Sequence, residues 1–138
     1  MSVVIPHKAI ERVANSVDPK RTILEIVGDL SGLTITGDMV LMATYIRPTK
    51  TSGGIIRPDI NVQEDVWQGK VGLVLKWGNT AYQDTPDYIF HEKDKVYPEE
   101  WGIYKVGDAW SMNVRGVPCR LVRDINIRAK VDDPLIVL

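Results

Sequence analysis

The residues that could do chemistry in this chain are few and widely spaced. Cys119 is the single thiol, and Arg120 beside it is a cation able to lower a thiol pKa. Alternation along a strand would instead make Cys119 a small core residue, which is the reading the local pattern favours. His7 and His91 have no neighbours at metal-ligand spacing. Asp132-Asp133 is a carboxylate pair, but adjacent strand residues face opposite ways, so it reads as a strand terminator rather than an acid–base couple. A phosphate-binding Gly-rich loop, a nucleophile elbow and a His-Glu-x-x-His helix are all missing from the sequence. These residues predict no enzyme, no catalytic residue, no metal site and no cofactor.

One stretch suggests binding instead. Residues 49 to 58 read Thr-Lys-Thr-Ser-Gly-Gly-Ile-Ile-Arg-Pro. Gly53 and Gly54 free the backbone, Ile55 and Ile56 follow at once, and Pro58 blocks regular strand pairing. Aliphatic side chains at the tip of a polar loop suit a docking peptide made of Thr51, Ser52, Gly53, Gly54, Ile55, Ile56 and Arg57. The alternative is an ordinary hairpin loop whose isoleucines fold back on the domain.

Composition narrows the partner. The 138 residues suffice for one domain with a real core, at 44% hydrophobic and 25% charged. Seventeen basic residues against eighteen acidic ones, with no basic run, argue against nucleic acid. No stretch has the length and apolarity of a membrane span, and the N-terminus lacks a signal-peptide pattern. The single cysteine cannot form an internal disulfide, which implies a reducing compartment or, alternatively, an intermolecular bridge.

The elements that must position these residues fall into two groups. Residues 1–32 predict a helical arm: Pro6 can open a helix, Ile10, Val13, Ala14 and Val17 keep helical spacing, and Asp18-Pro19 restarts the chain before Gly28 stops it. Its apolar face needs a partner, either a neighbouring subunit or its own domain. Residues 33–138 predict short strands: Met39 to Ile46, Lys70 to Trp77 with Val71, Leu73 and Leu75 on one face, a strand running from Val106-Gly107-Asp108 through Met112, an Arg115-Gly116 hairpin turn, Val117 to Val122, and Ile125 to Val131. Residues 47–66 form the loop, and 79–104 read as an aromatic-rich insertion. The fold class is all-β, a small distorted barrel with an N-terminal helical extension. The apolar tail Leu135, Ile136, Val137 and Leu138 either pairs with another subunit or packs back on its own barrel. With Ile10 and Val13 it forms the expected subunit interface.

The order of features resembles the GroES-like co-chaperonin family, and among its members those encoded by tailed phages. Gly37-Asp38-Met39-Val40-Leu41-Met42 enters a strand, Arg47 to Ile56 carries the Gly-Gly-aliphatic tip, and Gln68-Gly69-Lys70-Val71 opens the next strand. Val106-Gly107-Asp108 and Asp124-Ile125 follow, with Val27 to Gly32 as lead-in. The resemblance implies a GroES-like barrel assembled as a ring, a terminal strand paired across the subunit interface, and a loop tip docked into an apolar groove of an ATP-driven chaperonin. Weak contacts repeated around a ring bind jointly. The family tip has three aliphatics, and here the third position is Arg57. A guanidinium in an apolar groove costs free energy unless paired. The extra N-terminal stretch and the 79–104 segment suit a protein with more contacts than a detachable lid needs. The sequence therefore reads first as a capsid-associated cement or decoration protein of a tailed phage, a homo-oligomer located in the virion and assembled in the host cytoplasm. The alternative is a cytoplasmic, phage-encoded co-chaperonin that docks on a host chaperonin through Gly53-Gly54-Ile55-Ile56.

Overall fold

A computed structural model describes residues 8–16, 18–46, 70–83 and 94–137. Two short helices come first, α1 (Lys8–Ala14) and α2 (Pro19–Val27). The start of α2 is set by two neighbouring residues. The Asp18 side chain accepts from the Arg21 N–H, and Pro19 occupies a first-turn position where its missing N–H costs nothing. Gly28, at φ +58°, ends the helix and donates its N–H to the Leu24 carbonyl.

Six strands follow: β1 (Met39–Thr44), β2 (Val71–Trp77), β3 (Trp101–Tyr104), β4 (Trp110–Val114), β5 (Val117–Arg123) and β6 (Ile127–Val131). They make one antiparallel sheet in the order β4-β5-β1-β2-β3-β6. The chain is thus rich in β structure, as its turn spacing predicts. Among the described residues, β4 and β6 are the sheet edges.

Both faces of the central strands are buried. Along β1, Leu41 and Ala43 enter one cluster while Val40 and Met42 enter another. The first cluster joins Val13, Ile23, Val27 and Ile35 to Leu73, Trp101, Val117 and Cys119. The second joins Val74, Tyr82, Val96, Tyr104, Val122 and Ile127. The single apolar face expected for β2 is therefore two faces, because Val71 and Leu73 pack under the helices while Val74 packs on the other side. A bulge at Leu75 lets Leu41 face Lys76 and Met42 face Val74.

Gly72 and Gly102 stand opposite each other on β2 and β3. A Cβ at either position would lie 2.9 Å from an atom of Met42, which is fully buried. Two adjacent glycines thus make the slot that Met42 fills.

Several boundaries differ from the sequence reading. Trp101–Tyr104, placed in the 79–104 insertion, is β3 and pairs with both β2 and β6. Val106–Asp108 is a 3-10 turn ahead of β4, and Asp124–Asn126 is a 3-10 turn ahead of β6. The tail is a 3-10 turn over Pro134–Val137 rather than a strand, with Asp133 Oδ1 accepting from the Leu135 N–H. The helices share the sheet's core, so they cap their own domain and are not a free arm.

Candidate functional site

The strands flanking residues 47–69 are antiparallel neighbours, with Thr44 opposite Gly72. The Tyr45 N–H donates to the Val71 carbonyl at 2.8 Å, and the Tyr104 N–H donates to the Lys70 carbonyl at 2.9 Å. Both ends of that stretch are therefore anchored on one rim of the sheet. Ile46 is fully buried, and Tyr45 packs edge-on against Trp101 with ring centroids 5.1 Å apart. The aromatic pair stiffens the rim from which the stretch departs. Thr51, Ser52, Gly53, Gly54, Ile55, Ile56 and Arg57 lie outside the described residues, as do the 47–66 loop and Leu138.

The expected subunit-interface residues separate. Leu135 and Ile136 are 54% and 74% exposed on the terminal turn. Val137 is partly buried against the helix-side core, as is Ile10. Val13 is 1% exposed and lies within that core. The apolar face of α1 is thus filled by the chain's own sheet.

Two cations fix the helical segment in place. Arg115, at the tip of the β4–β5 hairpin, donates through Nη1 to the Val27 carbonyl and to the Asp29 carbonyl, the latter at 3.0 Å. These are carbonyls at the end of α2, where a positive charge is favoured. Lys76 Nζ donates to the carbonyls of Leu30 (2.9 Å) and Leu33 (2.5 Å). In the sequence Arg115 falls in a hairpin turn and Lys76 in a strand, and neither is given a partner there. The only signal was a cation at the tip of a two-residue turn and another in a strand of aliphatics.

The residues considered for chemistry have structural duties. Cys119 is 2% exposed, and burial pushes its thiol up to about 12. It is a core residue and a poor nucleophile at neutral pH. Arg120 does not activate it, because the two side chains leave opposite faces of β5. Arg120 instead lies near Tyr104, whose phenol burial pushes upward and the guanidinium charge opposes. Asp133 caps the terminal turn, and Asp18 caps α2. Both line a cleft of about 400 Å³ with Lys20, Tyr45, Trp101 and Asp132. His7 and His91 lie outside the described residues. Among the described residues, no cluster of His, Cys, Asp or Glu could hold a metal ion. No described helix is long and apolar enough to cross a membrane.

Asp124, noted in the sequence only as part of the Asp124-Ile125 pair, is a buried carboxylate. Asp124 is 1% exposed, its Oδ2 accepts from the Tyr82 N–H at 2.8 Å, and its Oδ1 accepts from the Ile125 N–H at 2.7 Å. Tyr82 sits at φ +59°, a conformation unfavourable for a bulky residue. The carboxylate holds that reversal against the sheet, while the Tyr82 ring packs at a tilt against Trp77 with centroids 5.0 Å apart and Tyr97 packs on the same indole at 4.9 Å. Aromatics expected to face partners from an insertion are therefore in part spent on the chain's own packing.

Compared with protein-family models and with curated proteins, the sequence matches none.

Proposed function

We propose that this chain is a non-catalytic, multi-copy binding protein of the GroES-like kind that works as a phage-encoded co-chaperonin. Its docking element is Thr51 to Arg57, with Ile55 and Ile56 entering an apolar groove on a chaperonin double ring. The observation that supports this reading is the rim. Residues 47–69 leave and return on adjacent strands anchored by the Tyr45–Val71 and Tyr104–Lys70 hydrogen bonds. A Gly-Gly-Ile-Ile tip between two such anchors is suited to present an extended peptide to a groove. Two features that favoured a permanent structural role also have a simpler use. The N-terminal helices fill the chain's own core, and Tyr82 and Tyr97 of residues 79–104 pack on Trp77 within the domain.

Binding to immobilised chaperonin tests the proposal. Ile55→Asp removes an apolar contact and adds a charge, so binding is lost while assembly of the copies persists. Arg57→Leu removes a guanidinium from an apolar contact, so binding tightens. Indifference to both changes sinks the proposal.

Arg57 at the third tip position favours a second reading, in which the same fold serves as a cement or decoration protein of a tailed-phage particle. Stoichiometric recovery of the chain in purified particles is the outcome that would select it.

A further inference from the structure

We propose that successive copies of this chain join head to tail, with β4 of one copy antiparallel to β6 of the next and Trp110 seated beside Val131 of its neighbour. The contact rests on the multi-copy reading above, and it supplies the strands, the register and the anchor by which a ring of copies holds together.

Hydrogen bonding within the sheet fixes which groups each edge leaves free. Arg115 at φ +47° and Gly116 at φ +85° form a two-residue hairpin turn flanked by the facing residues Val114 and Val117. That flanking pair exchanges both backbone bonds, and bonded and non-bonded pairs then alternate. Val114, Met112 and Trp110 thus bond inward to β5, while Ser111 and Asn113 direct their N–H and C=O groups away from the sheet. Between β2 and β3, the Tyr104 N–H donates to the Lys70 carbonyl and the Val74 N–H donates to the Glu100 carbonyl. Residues 100, 102 and 104 therefore bond toward β2, and Trp101 and Ile103 bond toward β6, where they face Val131 and Ala129. Lys130, between those two, directs its N–H and C=O outward. Among the described residues, β4 pairs with β5 alone and β6 with β3 alone.

Direction, face and register then agree. As first and last of six antiparallel strands, β4 and β6 run in opposite directions. A second copy rotated about an axis along the strands brings its β4 antiparallel to β6 of the first and keeps its helix face on the same side. Ser111 opposite Lys130 makes the bonded pair, which sets Trp110 opposite Val131 and Met112 opposite Ala129. Those two pairs fall on the helix face, because Met112, Val114 and Val131 all pack against the helix-side core. The long Met112 side chain meets a small partner. Arg128 is the extra residue of the β6 bulge and ends the ladder beside Asn113.

Exposure and charge favour this partner. Trp110 is 74% exposed in the single chain. A cleft of about 160 Å³ opens beside Val131, lined also by Lys20, Glu100, Trp101 and Asp132. The neighbour's indole fills it, with one face toward Val131 and the Lys20 ammonium within reach. From Trp110 to Val114 no residue is charged, so Lys130 meets Ser111 and no like charge. Two β6 edges paired about Ala129 would instead set Lys130 opposite Arg128, a repulsive arrangement. A neutral edge carrying a free indole and a cationic edge carrying a cleft are complementary to each other. Such a heterologous contact is the kind from which rings close.

Cysteine pairing under oxidised glutathione reads the contact. Facing residues of a non-bonded antiparallel pair have the spacing a disulfide needs, so Met112→Cys with Ala129→Cys in one chain gives a covalent series of linked copies. The two positions stand on opposite edges of one sheet, so no bond forms within a copy. Each single variant stays unlinked, and a mixture of the two gives linked pairs. Sedimentation velocity of the full chain gives the second readout: one discrete multi-copy species, shifted to smaller ones by Ser111→Pro with the circular dichroism spectrum kept. The Ser111 N–H points outward, so proline removes a donor from the contact without breaking the β4–β5 ladder. If Ser111→Pro fails to fold, Trp110→Lys carries the test, since that side chain is largely solvent-exposed. A multi-copy species without the crosslink, linkage of Met112→Cys to itself, or indifference to Trp110→Lys overturns this contact and leaves the multi-copy reading and the docking loop standing. A wild-type chain that stays monomeric overturns the contact and the multi-copy reading together.

Discussion

Ile23→Ala tests where the N-terminal helices belong. Ile23 is fully buried, within a cluster that includes Val13, Val27, Leu41 and Leu73. Truncating such a side chain removes its transfer free energy and leaves a cavity, together about 2 to 5 kcal/mol. For 138 residues the unfolding entropy near the midpoint is about 0.3 kcal/mol per kelvin, so a loss of about 3 kcal/mol lowers Tm by about 10 °C. The loss takes a large part of the 5 to 15 kcal/mol typical of a domain. Circular dichroism melts at two protein concentrations tenfold apart are the assay. The variant melts about 10 °C lower at both. A shift below about 2 °C would mean that Ile23 is not in the core described here. A shift that appears only at the lower concentration would mean that the helix packs on a neighbouring molecule.

Further outcomes follow from other contacts. Gly102→Ala places a methyl 2.9 Å from Met42 Cε and 3.0 Å from Ile127 Cγ2, so it destabilises by about 1 to 3 kcal/mol in urea titrations, and Met42→Ala in the same chain recovers part of the loss. Arg115→Ala leaves the carbonyls of Val27 and Asp29 without their guanidinium partner, and amide exchange in α2 quickens before global unfolding changes. Cys119 resists alkylation by iodoacetamide at pH 8 in the native chain and reacts only on unfolding, because burial holds the thiol near 12 against an ordinary 9.0. Tyr82, raised to about 12 from 10.0 by burial, favours the fold while neutral. Its contribution is complete below about pH 10 and is lost as pH rises through 12, so Tyr82→Phe flattens the alkaline fall in stability.

The strands of this domain were legible where aliphatics and β-branched residues run between glycine turns, as in Met39–Thr44, Val71–Trp77 and Val117–Arg123. The Arg115-Gly116 turn was legible because few residues tolerate two consecutive left-handed positions. Trp101–Tyr104 was not, because Trp-Gly-Ile-Tyr suits an aromatic loop as well as a short central strand, and the side chains that explain its glycine, Met42 and Ile127, lie far away in sequence. The destination of the helices was equally hidden. An apolar stripe of Ile10, Val13 and Ala14 fits a neighbour or its own sheet, and the anchors that decide it, Lys76 and Arg115, lie far away in sequence. The tail read as a strand from its aliphatics, whereas Pro134 and the Asp133 cap turn it into a single 3-10 turn. The proposed docking role of Thr51 to Arg57 rests on their sequence pattern and on the anchoring of Tyr45 and Lys70 on either side.

Native mass spectrometry of the purified chain mixed with chaperonin double rings, with and without ATP, tests the central claim most directly. The account predicts a nucleotide-dependent complex that carries several copies of the chain and disappears with Ile55→Asp. The absence of any complex, at concentrations where an established co-chaperonin saturates its ring, would contradict it.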